Sequence, residues 1–326
     1  MTFARLCAKI SVDKTQRKLS MKKYYSALLM LLAAAIWGFA FSAQKTAALD
    51  AFTIGAVRSL FAAIFLLGVI AALDVAFRSG RRLFSRKNKY FVDFNKTELI
   101  GGVCCGLVLA GASALQQSGI SSGTDAGKAA FITALYVLIV PIIGLAIRRR
   151  SPINVWVSVA IAVVGFWLLC IKGDFTMAPS DLLVLLCAFV FALHIIVIDH
   201  FSPRCDGVRM SCIQFFVAFI VNALVALIVE SPISFAAIGE SILPLLYLGI
   251  GSSGIAYTLQ IVGQRDAHPA AAAVILSLES VFGVAGSAIL LGERMTTREY
   301  AGCVIVFLAV ILSQIDIVGI IKKKNK

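Results

Sequence analysis

Ten long apolar stretches, recurring along the chain, limit its fold more than any other feature. They lie at about 24–43, 52–73, 98–119, 126–147, 153–171, 180–198, 209–229, 241–263, 269–291 and 298–318. Roughly 20 helical residues, rising about 1.5 Å each, cross a hydrocarbon layer of about 30 Å. The stretches are rich in Ala, Gly, Leu, Ile and Val without strict alternation, which favours helices over membrane-barrel strands. The 326 residues are 60% hydrophobic and only 14% charged, too apolar for a water-soluble core of this size. A soluble enzyme, a disordered chain and a secreted disulfide scaffold are excluded. The predicted fold class is an all-α membrane protein of ten transmembrane helices, its first partner the lipid bilayer.

The net charge is +13 and the pI about 9.5. The basic residues fall in short blocks between apolar runs, so membrane topology explains them better than a nucleic-acid partner. With ten spans and a cytoplasmic N-terminus, 24 basic residues lie on the cytoplasmic side and four on the other. Arg58 and Lys128 fall inside spans. This bias predicts a multi-pass plasma (inner) membrane protein with both termini cytoplasmic. Residues 1–23 form a basic segment that resembles a signal peptide but precedes a stretch long enough to span, so a retained first helix is expected. Met21-Lys22-Lys23 would also make an ordinary start, leaving residues 1–20 as a dispensable extension. The eight cysteines show no metal-type spacing and mostly sit in apolar runs. They read as packing residues, with no disulfide or metal implied, and no cofactor is expected.

The halves resemble each other. LLAAAIWGFAF at 31–41 matches LLCAFVFALHI at 185–195, and AAFITALYV at 129–137 matches AAVILSLES at 272–280. Arg58 falls opposite Gln214, Gln116 opposite Gln260 and Tyr136 opposite Glu279. The predicted organisation is a basic segment 1–23, five-helix repeats at 24–171 and 172–318, and a basic tail 319–326. Five spans per half is odd, so the second copy enters the membrane from the opposite face. Such inverted repeats are common among secondary transporters, whose solute site lies at the repeat interface near the midplane.

Trp37-Gly38 in the first span resembles the WG signature of EamA-type carriers of the drug/metabolite transporter superfamily. LSLESVFGVAGSAILLGE at 276–293 and FITALYVLIVPIIG at 131–144 are similar to that family's two repeats. The resemblance covers about 24–318 and implies ten helices, two EamA repeats and efflux of small metabolites such as amino acids. The family pattern usually has Pro after the mid-span Glu, where this chain has Ser280. That departure predicts a straighter ninth span.

Ionisable groups inside the spans are Arg58, Lys128, His194 and Glu279. A charge at a helix centre costs about 2.5–3.5 kcal/mol on insertion scales, so deep ones are functional candidates. Glu279 lies ten residues into its span, near the midplane. It suits a substrate ammonium group or a proton, or else a neutral acid bonded to a neighbouring helix. Arg58 is two turns in, able to snorkel to the interface or to hold a carboxylate by paired hydrogen bonds. Lys128 is shallower and reads as an anchor. His194 is deep enough to titrate or to serve as a packing partner. Trp37, Tyr136, Gln116, Gln117, Gln214 and Gln260 are uncharged candidates for a cavity wall. Gly102, Gly106, Gly283 and Ser287 should permit close helix contacts.

No phosphate-binding loop is present, so ATP-driven pumping within this chain is not expected. The expected function is secondary transport, without enzymatic activity, of a small organic solute by alternating access. A coupling ion (H+ or Na+) or uniport, and a homo-oligomer, stay open. Two other classes remain: a membrane-embedded lipid-modifying enzyme, for which His194, Asp199 and His200 near one helix end would be the candidates, and a non-transporting scaffold.

Overall fold

The computed structural model describes residues 3–47, 49–78, 95–124, 126–149, 151–170, 178–230, 232–291 and 296–315. The basic tail 319–326, the basic insert over 79–94, and the side chains of residues 1–20 and of Ser287 lie outside the described residues. All regular structure among those described is helical. Helix α1 spans Phe3–Thr46, α2 Ala51–Arg78 and α3 Lys96–Ser121. The fourth span is two pieces, α4 Ala126–Ala134 and α5 Tyr136–Ala146, followed by α6 Ile153–Cys170. The second half begins with α7 Pro179–Phe201 and α8 Gly207–Val229, then a short α9 Phe235–Glu240. Its eighth span joins α10 Ile242–Leu246, a π-helical segment Tyr247–Tyr257, and α11 Thr258–Gln264. The ninth is α12 Pro269–Leu276 and α13 Glu279–Leu291, and the tenth α14 Thr297–Gln314.

Among the described residues, nine helical stretches are long and apolar enough to cross a membrane, and the tenth, Ile153–Leu168, is shorter. Large apolar side chains such as Leu107, Leu186, Leu227, Ile289 and Phe307 stand exposed on the outside of the bundle. A water-soluble monomer does not carry so much exposed apolar surface, whereas lipid covers it without cost.

The helices pack as an inverted pair of five-helix repeats. Helix α2 lies against α8 and α6 against α14, each pair being repeat-equivalents. Both pairs are antiparallel: Gly55 meets Asn222 while the Cys212 thiol approaches the Ala63 carbonyl, and Asn154 meets the end of α14 while Gly165 meets Val306. Other contacts come in mates. Helix α3 packs on α7 as the eighth span packs on α1, and the two broken spans cross, α4 on α13 and α5 on α12. Single contacts repeat too. A Cβ at Gly119 would lie 3.0 Å from the Ser180 carbonyl oxygen, and one at Gly263 would lie 3.0 Å from that of Ser26. Gly102 and Gly106 admit α8 side chains and carbonyls at similar range, the close approach small residues allow.

Mated carboxylates fasten the α2–α8 pair at its two ends. Glu230 accepts from the Phe52 and Thr53 amides and the Thr53 hydroxyl, each at 2.8 Å, so it caps α2. Asp74, at the other end of α2, lies 3.6 Å from Arg209 in the first turn of α8. Glu230→Ala strands the first amides of α2 and removes a negative charge from its positive pole. It is expected to cost about 1–2 kcal/mol, read as a lower thermal midpoint in detergent.

The ninth span is not one continuous helix, although Ser280 stands where the family pattern has Pro. Helical geometry is interrupted at Ser277–Leu278 without any proline. Ser277 Oγ donates to the Val274 carbonyl at 2.8 Å and Ser280 Oγ to the Ala130 carbonyl of the fourth span at 3.2 Å. Serine hydroxyls thus engage backbone carbonyls at and across the break. The described cysteines are free. In the turn between α7 and α8, burial, aided by Glu98, pushes the Cys205 thiol up to about 11, which leaves it protonated and inert at neutral pH.

Candidate functional site

The breaks of the two crossed spans meet in the middle of the bundle. Tyr136 is the first residue of α5 and Glu279 the first of α13, so the repeat-equivalent positions open both second segments. They face one central hollow, walled by α1 (Trp37, Phe41, Gln44), α2 (Arg58), α3 (Ser113, Gln116), Thr133, α7 (Phe191, His194), the π-helical segment (Ser252, Tyr257), Gln260 and Leu276. Its volume is about 50 Å3, room for only a few waters.

Arg58 turns inward instead of snorkelling and is only 8% exposed. Its Nε donates to Ser253 Oγ and its Nη2 to Ser252 Oγ, both at 3.0 Å. The π-helical segment is built for this approach. Gly249 lets it sit against Phe61 and the Arg58 carbonyl, and Gly254 against Phe65. The same segment is tied to α1, with Trp37 Nε1 donating to the Ser252 carbonyl at 2.9 Å and Tyr247 Oη to the Ile36 carbonyl at 2.7 Å. Trp37, His194 and Phe215 surround the Tyr257 ring, with centroids 4.6, 5.7 and 5.5 Å away.

Glu279 is 7% exposed. Tyr136 is its neighbour, close enough to interact electrostatically, yet the Tyr136 hydroxyl makes no hydrogen bond of normal geometry. Among the described residues no cation pairs with Glu279 and no carboxylate with Arg58. One guanidinium and one carboxyl therefore share a hollow of mixed polar and aromatic walls without forming an ion pair. His194 Nε2 lies 2.9 Å from Gln214 Oε1, while its Nδ1 has no partner, as is also true of Gln44 Oε1 and Gln260 Oε1. Gln116 donates to Thr133 Oγ1 at 3.2 Å.

Seven of the residues singled out from sequence line this hollow: Trp37, Arg58, Gln116, Tyr136, His194, Gln260 and Glu279. Two do not. Gln214 stands behind His194, and Gln117 points along its own helix, 3.4 Å from Ser121 Oγ. Lys128 is an ion-pair partner of Asp181. Asp199 pairs with Arg149, and no group of three His, Cys, Asp or Glu that could hold a metal ion occurs among the described residues. Sequence reading missed Ser252, Ser253 and Tyr257. The signal was there in Gly249, Gly251 and Gly254 flanking two serines, a cluster of poor helix formers inside an apolar span.

Comparison with known proteins agrees with this architecture. The family model described as "EamA-like transporter family" matches residues 25–171 and again 178–314. An "Uncharacterized transporter" of Archaeoglobus fulgidus is 30% identical over 294 residues, covering 89% of this chain and 86% of that protein. A solved crystal structure, 15% identical, superposes with a TM-score of 0.69 over 88% of this chain and 96% of its own, a likeness of fold. The two matched repeats, laid over the two halves of the bundle, make this chain a multi-pass membrane protein and a member of the EamA-like transporter family.

Proposed function

We propose that the protein is a secondary carrier that exports a small amphipathic solute, such as an amino acid, by alternating access. The observation that carries this reading is that one basic and one acidic side chain, Arg58 and Glu279, line one central hollow with no ion-pair partner for either among the described residues. A zwitterion supplies what each lacks: its carboxylate meets the free edge of the guanidinium, and its ammonium meets Glu279 with the nearby Tyr136 hydroxyl. Trp37, Phe41, Phe191 and Tyr257 offer aromatic faces to the rest of the solute. The hollow as it stands is smaller than such a solute, so loading requires the walls to part. No phosphate-binding loop occurs, and the driving force is a gradient.

Amino-acid counterflow in proteoliposomes tests this. Glu279→Gln keeps the shape but removes the ionisable carboxyl, and is expected to slow counterflow of zwitterions at least about tenfold. Unchanged counterflow across a panel of amino acids would remove Glu279 from the solute site.

A further inference from the structure

The pseudo-two-fold relates the two ends of the bundle, and at those ends the protein is built differently. At the end remote from Lys22, Asp181 in the first turn of α7 is 1% exposed. It pairs with Lys128 in the first turn of α4 and accepts from Thr124 Oγ1 at 3.0 Å. The repeat register carries Asp181 to Ala27, Lys128 to Ala271 and Thr124 to Ala267. The contacts confirm the Asp181–Ala27 register, and the helix starts that of Lys128 with Ala271, while Thr124 lies in the turn where the offset drops by one residue, opposite Ala267 and His268. Gly119 beside Ser180 and Val184 has its mate in Gly263 beside Ser26 and Met30. Lys128 and Ala271 are each the third residue of their helices, α4 and α12.

Those three alanines line a cleft of about 400 Å3 at the Lys22 end. Its rim includes Lys22, Pro152 and Asp266, all exposed, and it reaches inward to Ile275. The next residue, Leu276, lines the central hollow. One end therefore carries a buried polar clasp between α4 and α7. The equivalent junction, between α12 and α1, has alanines at the clasp positions and an open cleft that Ser26, Asp266 and His268 also line.

We infer that the Lys128–Asp181–Thr124 cluster is the latch that holds the far end of the carrier shut, and that its absence from the equivalent alanine positions sets the resting state open at the Lys22 end. Parting α4 from α7 costs Asp181 its Lys128 and Thr124 partners and leaves it only the Ala178 amide, so the far end opens only when something offsets that loss, and a loaded solute is the natural source. The inference rests on the alternating-access reading. Its test needs no solute, so its failure is separable from failure of the solute assignment.

Hydrogen exchange on the full chain in nanodiscs reads both ends at once. Lys128→Met leaves Asp181 to cap α7 through its bond to the Ala178 amide. The expected result is reciprocal. Exchange around 124–128 and 178–182 rises at least about tenfold, while exchange around 266–272 falls as the Lys22 end closes. A rise at the far end alone marks the pair as a local brace and overturns the proposal. The converse variant, Ala27→Asp with Ala271→Lys, leaves the native pair intact and installs a second clasp. It should protect 266–272 from exchange. No protection there, in a variant that folds, equally overturns the proposal.

Discussion

Arg58→Lys is expected to lower transport of a zwitterionic solute by about a hundredfold or more while leaving the carrier folded and abundant. The guanidinium spends two donors, Nε and Nη2, on Ser253 and Ser252, and still presents an edge to the hollow. A lysine ammonium is a point donor on a flexible stem and cannot hold both serines while offering a planar pair to a carboxylate. Losing a buried, hydrogen-bonded charge contact costs about 2–5 kcal/mol, which sets the size of the effect. The check is kcat/KM in proteoliposomes for an amino acid and for the corresponding amine. The amine has no carboxylate and should lose little. Equal loss for both would mean that Arg58 only supports the π-helical segment.

The second large effect is on folding. Gly38→Val places a branched side chain where even a Cβ would stand 2.4 Å from Phe282 Cβ, 2.6 Å from the Phe282 carbonyl carbon and 2.7 Å from the Gly283 amide nitrogen. Two of those atoms are backbone, so no rotamer change relieves the overlap. Overpacking a core costs about 1–3 kcal/mol when side chains can move aside, and here they cannot. Helix α1 must separate from α13, taking Trp37 away from the Ser252 carbonyl. The expected outcome is loss of the monodisperse peak on size exclusion in detergent. Gly38→Ala should show a weaker form of the same defect. A Gly38→Val carrier with normal elution and thermal midpoint would refute this helix contact.

The spans and their inversion are legible in the sequence because lipid imposes a length on each helix and five is an odd number. The apolar helix Ile153–Leu168, shorter than the nine other spans, still reads as a span because it fits the repeat. Polar residues of the hollow are conspicuous for a related reason: an Arg, a Glu or a Gln is costly in hydrocarbon, so its presence in an apolar run stands out. Tyr257 carries no such mark, since an aromatic ring reads equally well facing lipid. The helix breaks are hidden because they do not come from proline. Pro141 lies within α5, past the break at Leu135, and Ser277 acts through a local hydroxyl bond. The Arg58 clamp is hidden because it joins two spans distant in sequence and needs a π-helical stretch that no periodicity announces. Gln214 misled for the opposite reason. Its polarity was visible, but His194 stands between it and the hollow.

The antiparallel contacts of α2 with α8 and of α6 with α14 have a geometric consequence. Each joins a helix to its own counterpart, so the rotation axis that interchanges the halves passes through both seams. A rearrangement that trades one half's conformation for the other's leaves points on that axis where they are. On the alternating-access reading proposed above, the two seams would be fulcrums, and the travel would fall to α1 with α12 and α13 on one side and to α7 with α4 and α5 on the other. Asp74 and Glu230, at the two ends of one seam, hold α2 and α8 together as a single unit on either side of that axis.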